Sequence, residues 1–137
     1  MTDHADHKQA GVAAAIAVQS DGVLMIRRRV PEGQLLWQFP AGQIEPRESP
    51  EQAAVRETLE ETGMYVTALK LLGERVHPKT GRRMSYVACA VESGTPYVAD
   101  DAEVAEVAWV RLAQIPAYVP YGLFDPVQTY LDATLSQ

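Results

Sequence analysis

Between Gly42 and Met64 the chain reads GQIEPRESPEQAAVRETLEETGM, and this stretch limits the fold more than any other. It marks both ends of one helix. Ser49 is a natural N-cap, Pro50 suits the first helical position, and Gln52 completes a Ser-x-x-Gln capping box. Glu51 in the first turn favours the helix dipole, and Gly63 supplies a left-handed stop. The helix is therefore expected from Pro50 to Thr62. Ala54, Val55, Thr58, Leu59 and Thr62 form an apolar stripe at helical spacing, so this helix must lie against a core. Glu57, Glu60 and Glu61 fall at i, i+3 and i+4 on the other side, where they converge.

That convergence creates a charge problem. Glu48 precedes the cap, and with the helix glutamates it faces a single guanidinium, Arg56. Like charges one turn apart cost a few tenths of a kcal/mol even when exposed. Arg56, four residues before Glu60, relieves part of this but cannot neutralise four carboxylates. A hard divalent cation can. An all-oxygen donor set with no nearby His or Cys suits Mg²⁺ or Mn²⁺ better than Zn²⁺. Such an ion lowers the pKa of a coordinated water and shields the charge of a pyrophosphate. Attack on phosphorus needs this positioning and charge stabilisation more than covalent help from protein.

Gly42, Glu48, Arg56, Glu57, Glu60, Glu61 and Gly63 together resemble the Nudix box. Five residues separate Gly42 from Glu48, seven separate Glu48 from Arg56, and Arg-Glu-Thr-Leu-Glu-Glu-Thr-Gly-Met follows. Seven letters at fixed spacing arise by chance at roughly 10⁻⁸ per start position, given average residue usage. Thr58 stands where the family usually has an aliphatic residue; its methyl can still face the core. The likeness extends to Trp37-Gln38-Phe39-Pro40 before the box and to Glu103–Trp109 after it.

The resemblance implies a hydrolase that cuts within the diphosphate of a nucleoside diphosphate linked to another moiety. It implies Glu57 and Glu61 as metal ligands, Glu60 as ligand or general base, and the backbone carbonyl of Ala41 as a further ligand. Arg56 would orient the carboxylates, with Glu48 linked to it, while Gly42 and Gly63 support the loop and the helix end. A further acid is expected from the loop before a late strand: Glu103 matches, with Glu106 behind it, and a solvated loop face is the alternative for both.

Substrate signals are divided. Trp37-Gln38-Phe39-Pro40-Ala41-Gly42 resembles the entry to the box in the mutator-type branch, which hydrolyses nucleoside triphosphates, with Ala41 in place of a glycine. That branch reads its purine with an amide before a Pro-Val on the last helix. Phe124-Asp125-Pro126-Val127 offers none, leaving Asp125 to meet a base edge. A nucleoside triphosphate or modified nucleotide is the first expectation. ADP-ribose or another nucleotide sugar is the second, on the strength of Pro78, fourteen residues past Met64. A sensor domain without turnover is third, since such domains typically lose box acids and this chain keeps them. Arg27 and Arg28 are candidates for substrate phosphate or for solvated strand-end charge, with alternation sending Arg28 to the face opposite Arg27 and Arg29. Trp37 and Phe39, and Tyr118, Tyr121 and Phe124, either wall a base pocket or close the core. Lys79, Arg82 and Arg83 form a basic hairpin tip.

The rest of the chain sets the frame. At 137 residues it is expected to be one domain, residues 10–137, behind a mobile tail of residues 1–9 carrying His4 and His7. A net charge of −6 without a basic stripe argues against duplex nucleic acid as partner and leaves a small nucleotide, reached through metal, as substrate. Cys89 stands alone, which suits a cytoplasmic setting and a buried structural thiol. No stretch reaches the roughly 20 apolar residues of a membrane span. Monomer and homodimer both remain open.

Strands are expected at Ala10–Val18, Val23–Arg28, Trp37–Phe39, Gly42–Ile44, Tyr65–His77, Arg82–Glu92 and Val104–Val110, with a loop at Pro31-Glu32-Gly33. Leu112–Ile115 reads as a helical turn. Asp125-Pro126 is expected to cap a last helix, Pro126–Leu135, buried through Val127, Tyr130 and Leu131. The class is α+β. The family resemblance adds the α/β/α sandwich, with the two helices on opposite faces of a mixed sheet.

Overall fold

The computed structural model describes residues 11–135. The tail at 1–9, with His4 and His7, lies outside the described residues. Elements run β1 (Val12–Gln19), β2 (Gly22–Glu32), β3 (Leu35–Gln38), β4 (Ala41–Gln43), α1 (Pro50–Thr62), β5 (Tyr65–Val76), β6 (Arg83–Ser93) and β7 (Val104–Arg111). A 3₁₀ turn (Leu112–Gln114), α2 (Ile115–Tyr118) and α3 (Asp125–Thr134) close the chain.

Among the described residues the strands form one seven-stranded mixed sheet, ordered β3-β2-β1-β6-β5, with β4 on β1 and β7 on β2. The alternation of a strand divides the core in two. Ala13, Ala15 and Ala17 of β1 face Ala53 and Ala54 of α1, and their small side chains let the helix lie close. Ala14 and Ile16 face the other way, towards Val127 and Leu131 of α3. Both α3 residues are fully buried, each worth about 2 kcal/mol of transfer from water. The α/β/α sandwich is therefore built from two apolar stripes and one pleat.

The sheet is split. β1 and β2 pair only beside their turn, Val18 with Val23 and Gln19 with Gly22. Beyond that they diverge. β4 takes the free edge of β1, with Ala14 opposite Ala41 and Val12 opposite Gln43. β3 takes that of β2, with Ile26 opposite Gln38. Phe39 and Pro40 bridge the two short strands, and the Ala15 amide donates to the Pro40 carbonyl at 2.9 Å. A cleft opens between the halves.

Three expectations are corrected. Pro31 and Glu32 belong to β2, not to a loop; pairing with β3 is irregular between Arg27 and Glu32, and a bulge tolerates the missing proline N–H. Asp125 does not cap α3: the N-cap is Phe124, without a side-chain bond, and Asp125 contributes only acidic charge to the first turn. On α1, Leu59 is 37% exposed while Glu61 is 7% exposed, and Ala53 replaces Leu59 in the buried stripe. Glu61 sits three residues beyond Thr58, at the margin of that stripe, where β4 covers it. Cys89 is buried, and burial pushes its thiol up to about 12, as suits a structural thiol.

Candidate active site

The helix ends are built as their residues dictate. Ser49 Oγ accepts from the Gln52 amide at 3.0 Å, and Gln52 Oε1 accepts from the Ser49 amide at 2.9 Å. Gly63 adopts φ +73°, and a Cβ there would run into the Tyr97 ring. Its amide donates to Leu59. The C-terminal end of α1 also organises a distant loop. Tyr97 donates to the Thr62 carbonyl at 2.9 Å and Ala99 to that of Glu61 at 3.1 Å. These bonds bring Asp100 and Glu103 to the mouth of the cleft.

Arg56 is the hub of the acidic side chains. Its Nε and Nη2 form a fork on Glu48 at 2.7 and 2.9 Å. Nη1 donates to Glu57 at 2.8 Å and to Glu60 at 3.2 Å, and Nη2 also donates to the Gln43 carbonyl at 3.0 Å. The fork holds Glu48 down at about 2, while Glu48, then Glu57, raise the guanidinium further. Glu57 moves the other way, because its burial outweighs the attraction of Arg56. Gly42 packs directly against Glu57, and any Cβ there would overlap its carboxylate.

Glu61 is different. Its one protein donor among the described residues is the Ala41 amide, at 3.1 Å, and Arg56 does not reach it. Burial, then Glu57, Asp100 and Glu103, push its carboxyl up to about 8. A buried carboxylate among acids, without a cation, is costly.

The cleft has a volume of about 480 Å³, in the range of small-molecule sites. Glu57, Glu60, Glu61, Asp100 and Glu103 line one end; Arg28, Arg75, His77 and Arg82 line the other. Trp37 meets Tyr118 edge-on with ring centres 4.8 Å apart. Arg75 lies over Phe124 and Tyr86, at 4.9 and 5.5 Å from their ring centres.

The structure thus brings Ala41, Gly42, Glu57, Glu60, Glu61 and Glu103 together at the cleft, with Arg56 and Glu48 behind them. Trp37, Phe39, Phe124 and Arg28 also line it. Arg27 does not: it pairs with Glu106 at 3.1 Å on the surface, which removes both from the site. Asp125 is exposed and lies off the cleft, so it meets no base edge there. Asp100 was missed. Its nearest signal was its place three residues before Glu103, but only the bonds from Tyr97 and Ala99 to the end of α1 carry it to Glu61.

Among the described residues, no three acidic, histidine or cysteine side chains stand gathered as a ready ion site. Arg56 draws Glu57 and Glu60 to itself, and the Ala41 amide holds Glu61. The donor set nevertheless fits a divalent cation: all oxygen, net negative, with one buried carboxylate lacking a counter-charge.

Comparison with known proteins agrees with this chemistry. Residues 7–129 match the family model of the NUDIX domain. The chain is 32% identical over 110 residues to the "Putative 8-oxo-dGTP diphosphatase" of Bacillus subtilis (strain 168), covering 80% of this chain and 70% of that one. It is 36% identical over 108 residues to the "Putative mutator protein MutT4" of Mycobacterium tuberculosis (strain CDC 1551 / Oshkosh), covering 72% of this chain but only 42% of that one. The crystal structure of a NUDIX hydrolase from Nitrosomonas europaea superposes with a TM-score of 0.75 at 23% identity, over 92% of this chain and 72% of that one, a likeness of fold.

Proposed function

The chain belongs to the Nudix family and is a hydrolase acting on phosphoanhydride bonds, and from that premise we propose that it cleaves a nucleoside triphosphate or modified nucleotide with Mg²⁺ or Mn²⁺. The observation that carries this reading is Glu61, buried beside Glu57, Asp100 and Glu103 with no cationic partner among the described residues. Glu57, Glu61 and the Ala41 carbonyl would hold the ion. When bound, it supplies positive charge to the diphosphate and acidity to the attacking water.

The protein's own groups do the rest. Arg56 fixes Glu48 and Glu57 in place, and Gly42 leaves room for Glu57 beside β4. Glu60 is exposed at the mouth of the cleft and held only by a 3.2 Å bond, so it is free to turn and take a proton from water. Glu103 and Asp100 complete the acidic wall. Trp37, Phe39 and Phe124 offer apolar faces to a base, and Gln38 a side-chain amide. The reading extends to a monomer or homodimer of one domain in the cytoplasm; among the described residues no helix is long and apolar enough to cross a membrane.

The test is a substrate panel of normal and oxidised nucleoside triphosphates, ADP-ribose and dinucleoside polyphosphates, scored by product identity. Metal-dependent cleavage of triphosphates ahead of ADP-ribose is expected. Preference for ADP-ribose, or full activity in excess chelator, would overturn the reading.

A further inference from the structure

The end of the cleft away from α1 has the opposite charge balance. Arg28 and Arg82 share a single carboxylate, Glu32, at 3.9 and 3.5 Å. Arg75 has no carboxylate partner among the described residues. Its Nε donates to Tyr86 Oη at 3.1 Å, and the rings of Tyr86 and Phe124 lie beneath the guanidinium. That contact orients the fork while leaving both η nitrogens without a protein acceptor among the described residues. A guanidinium has five N–H donors, so most of its capacity is unused.

His77 adds a donor. It is 8% exposed, and its Nδ1 accepts from the Lys79 amide at 3.0 Å. The neutral ring therefore carries its proton on Nε2. Burial, then Arg75, lower its pKa against the pull of Glu32, and the net shift favours the neutral ring. Register sets the distance between the ends. Gln43 lies opposite Val12, Val12 opposite Met84, and Met84 opposite Arg75. Three interstrand steps make about 14 Å, a span that a nucleoside can bridge.

We propose that Arg75, with Arg82 and the Nε2–H of His77, forms an anion subsite, and that among modified nucleotides the protein favours one carrying a second phosphoryl group remote from the diphosphate that is cleaved. The inference rests on the diphosphate lying at the α1 end. A phosphoryl group suits donors from three side chains better than a planar carboxylate does, and an oriented arginine fork matches its geometry. A plain nucleoside triphosphate leaves these donors unused.

Two measurements test it. The first compares kcat/KM, with Mg²⁺, for a dinucleotide diphosphate with and without a phosphate on the ribose remote from the metal end. Wild type should favour the phosphorylated partner at least about tenfold, the size of one charge-assisted contact. Arg75→Gln and Arg82→Gln should pull that ratio towards one. A purely structural role for Arg75 would lower both rates and keep the ratio. Equal rates in wild type, or an unchanged ratio in both variants, would overturn the proposal. If neither compound is hydrolysed, the substrate preference is overturned while the proposed activity stands or falls on cleavage of nucleoside triphosphates, and the second measurement decides the subsite alone. In chelator, inorganic phosphate is titrated while the His77 ring resonances are followed. A saturable shift in wild type, weakened in Arg82→Gln and Arg75→Gln, supports the subsite; no shift, or the same shift in all three proteins, refutes it.

Discussion

The two ends of the cleft are mirror images in charge, and they are held with unequal firmness. At the α1 end Glu48, Glu57 and Glu60 share Arg56 through bonds of 2.7 to 3.2 Å, and Glu61 is left over. At the far end Arg28 and Arg82 share Glu32 at 3.9 and 3.5 Å, and Arg75 is left over. In each case a shared partner fixes most of the charges and one group of the majority sign faces the cleft unpaired. The acid end is half-buried and crowded with carboxylates, so its leftover carboxylate carries a raised pKa. The basic end is more exposed and rests on aromatic faces. On the proposed reading, the difference places chemistry at the tight end and choice of substrate at the loose one.

Removing the leftover acid should have the largest effect. Glu61→Gln is expected to lower kcat by about 10²–10³-fold, the scale of losing a key electrostatic group, in steady-state assays. The same variant should change the pH dependence of metal-free stability. Glu61 has a folded pKa near 8 against a reference of 4.5. Its contribution is fully present below about 4.5 and is lost as pH rises through about 8. Wild type should thus lose a few kcal/mol over that window in denaturant titrations, and Glu61→Gln should not. Glu48 works in the opposite sense: its stabilisation is present above 4.5 and is lost as pH falls towards 2. A flat wild-type profile from pH 5 to 8 would contradict the account.

Arg56→Ala comes next. It strips three carboxylates of their shared donor and should cost about 2 kcal/mol in urea unfolding, with activity lost as well. Arg56→Lys should recover charge but not the fork on Glu48. The matching change at the loose end, Glu32→Gln, should cost no more than about 0.5 kcal/mol, since its ion pairs are long and partly exposed. Equal losses from Arg56→Ala and Glu32→Gln would break the comparison.

These differences also separate what was legible in the chain from what was not. The bounds of α1, its capping box and its glycine stop were readable because each depends on residues a few positions apart. Arg28 lines the cleft and Arg27 pairs with Glu106 on the surface, but the pairing of β2 with β7 shifts register between them, so alternation alone does not account for it. The side on which Glu61 lies was not readable: helical spacing puts it at a margin, and β4, arriving from outside the helix, decides its burial. Asp100 reaches the site through bonds to Thr62 and Glu61 made by residues far along the chain. Arg75 and His77 reach the far end through the pairing of β5 with β6, where three irregularities shift the register and defeat simple alternation. Asp125 looked like a cap because its residue type suits one, yet the chain turns into α3 at Phe124.

The central claim is that Glu61 is a buried carboxylate whose counter-charge is a divalent cation. Thermal unfolding of wild type and Glu61→Gln, each titrated with Mn²⁺ or Mg²⁺ at pH 8 without substrate, tests it most directly. Binding to the folded state raises the melting temperature by mass action. The account predicts a saturable rise in wild type and little or none in Glu61→Gln, which in metal-free buffer should melt at or above the wild-type temperature. Equal metal-induced shifts in the two proteins would contradict it.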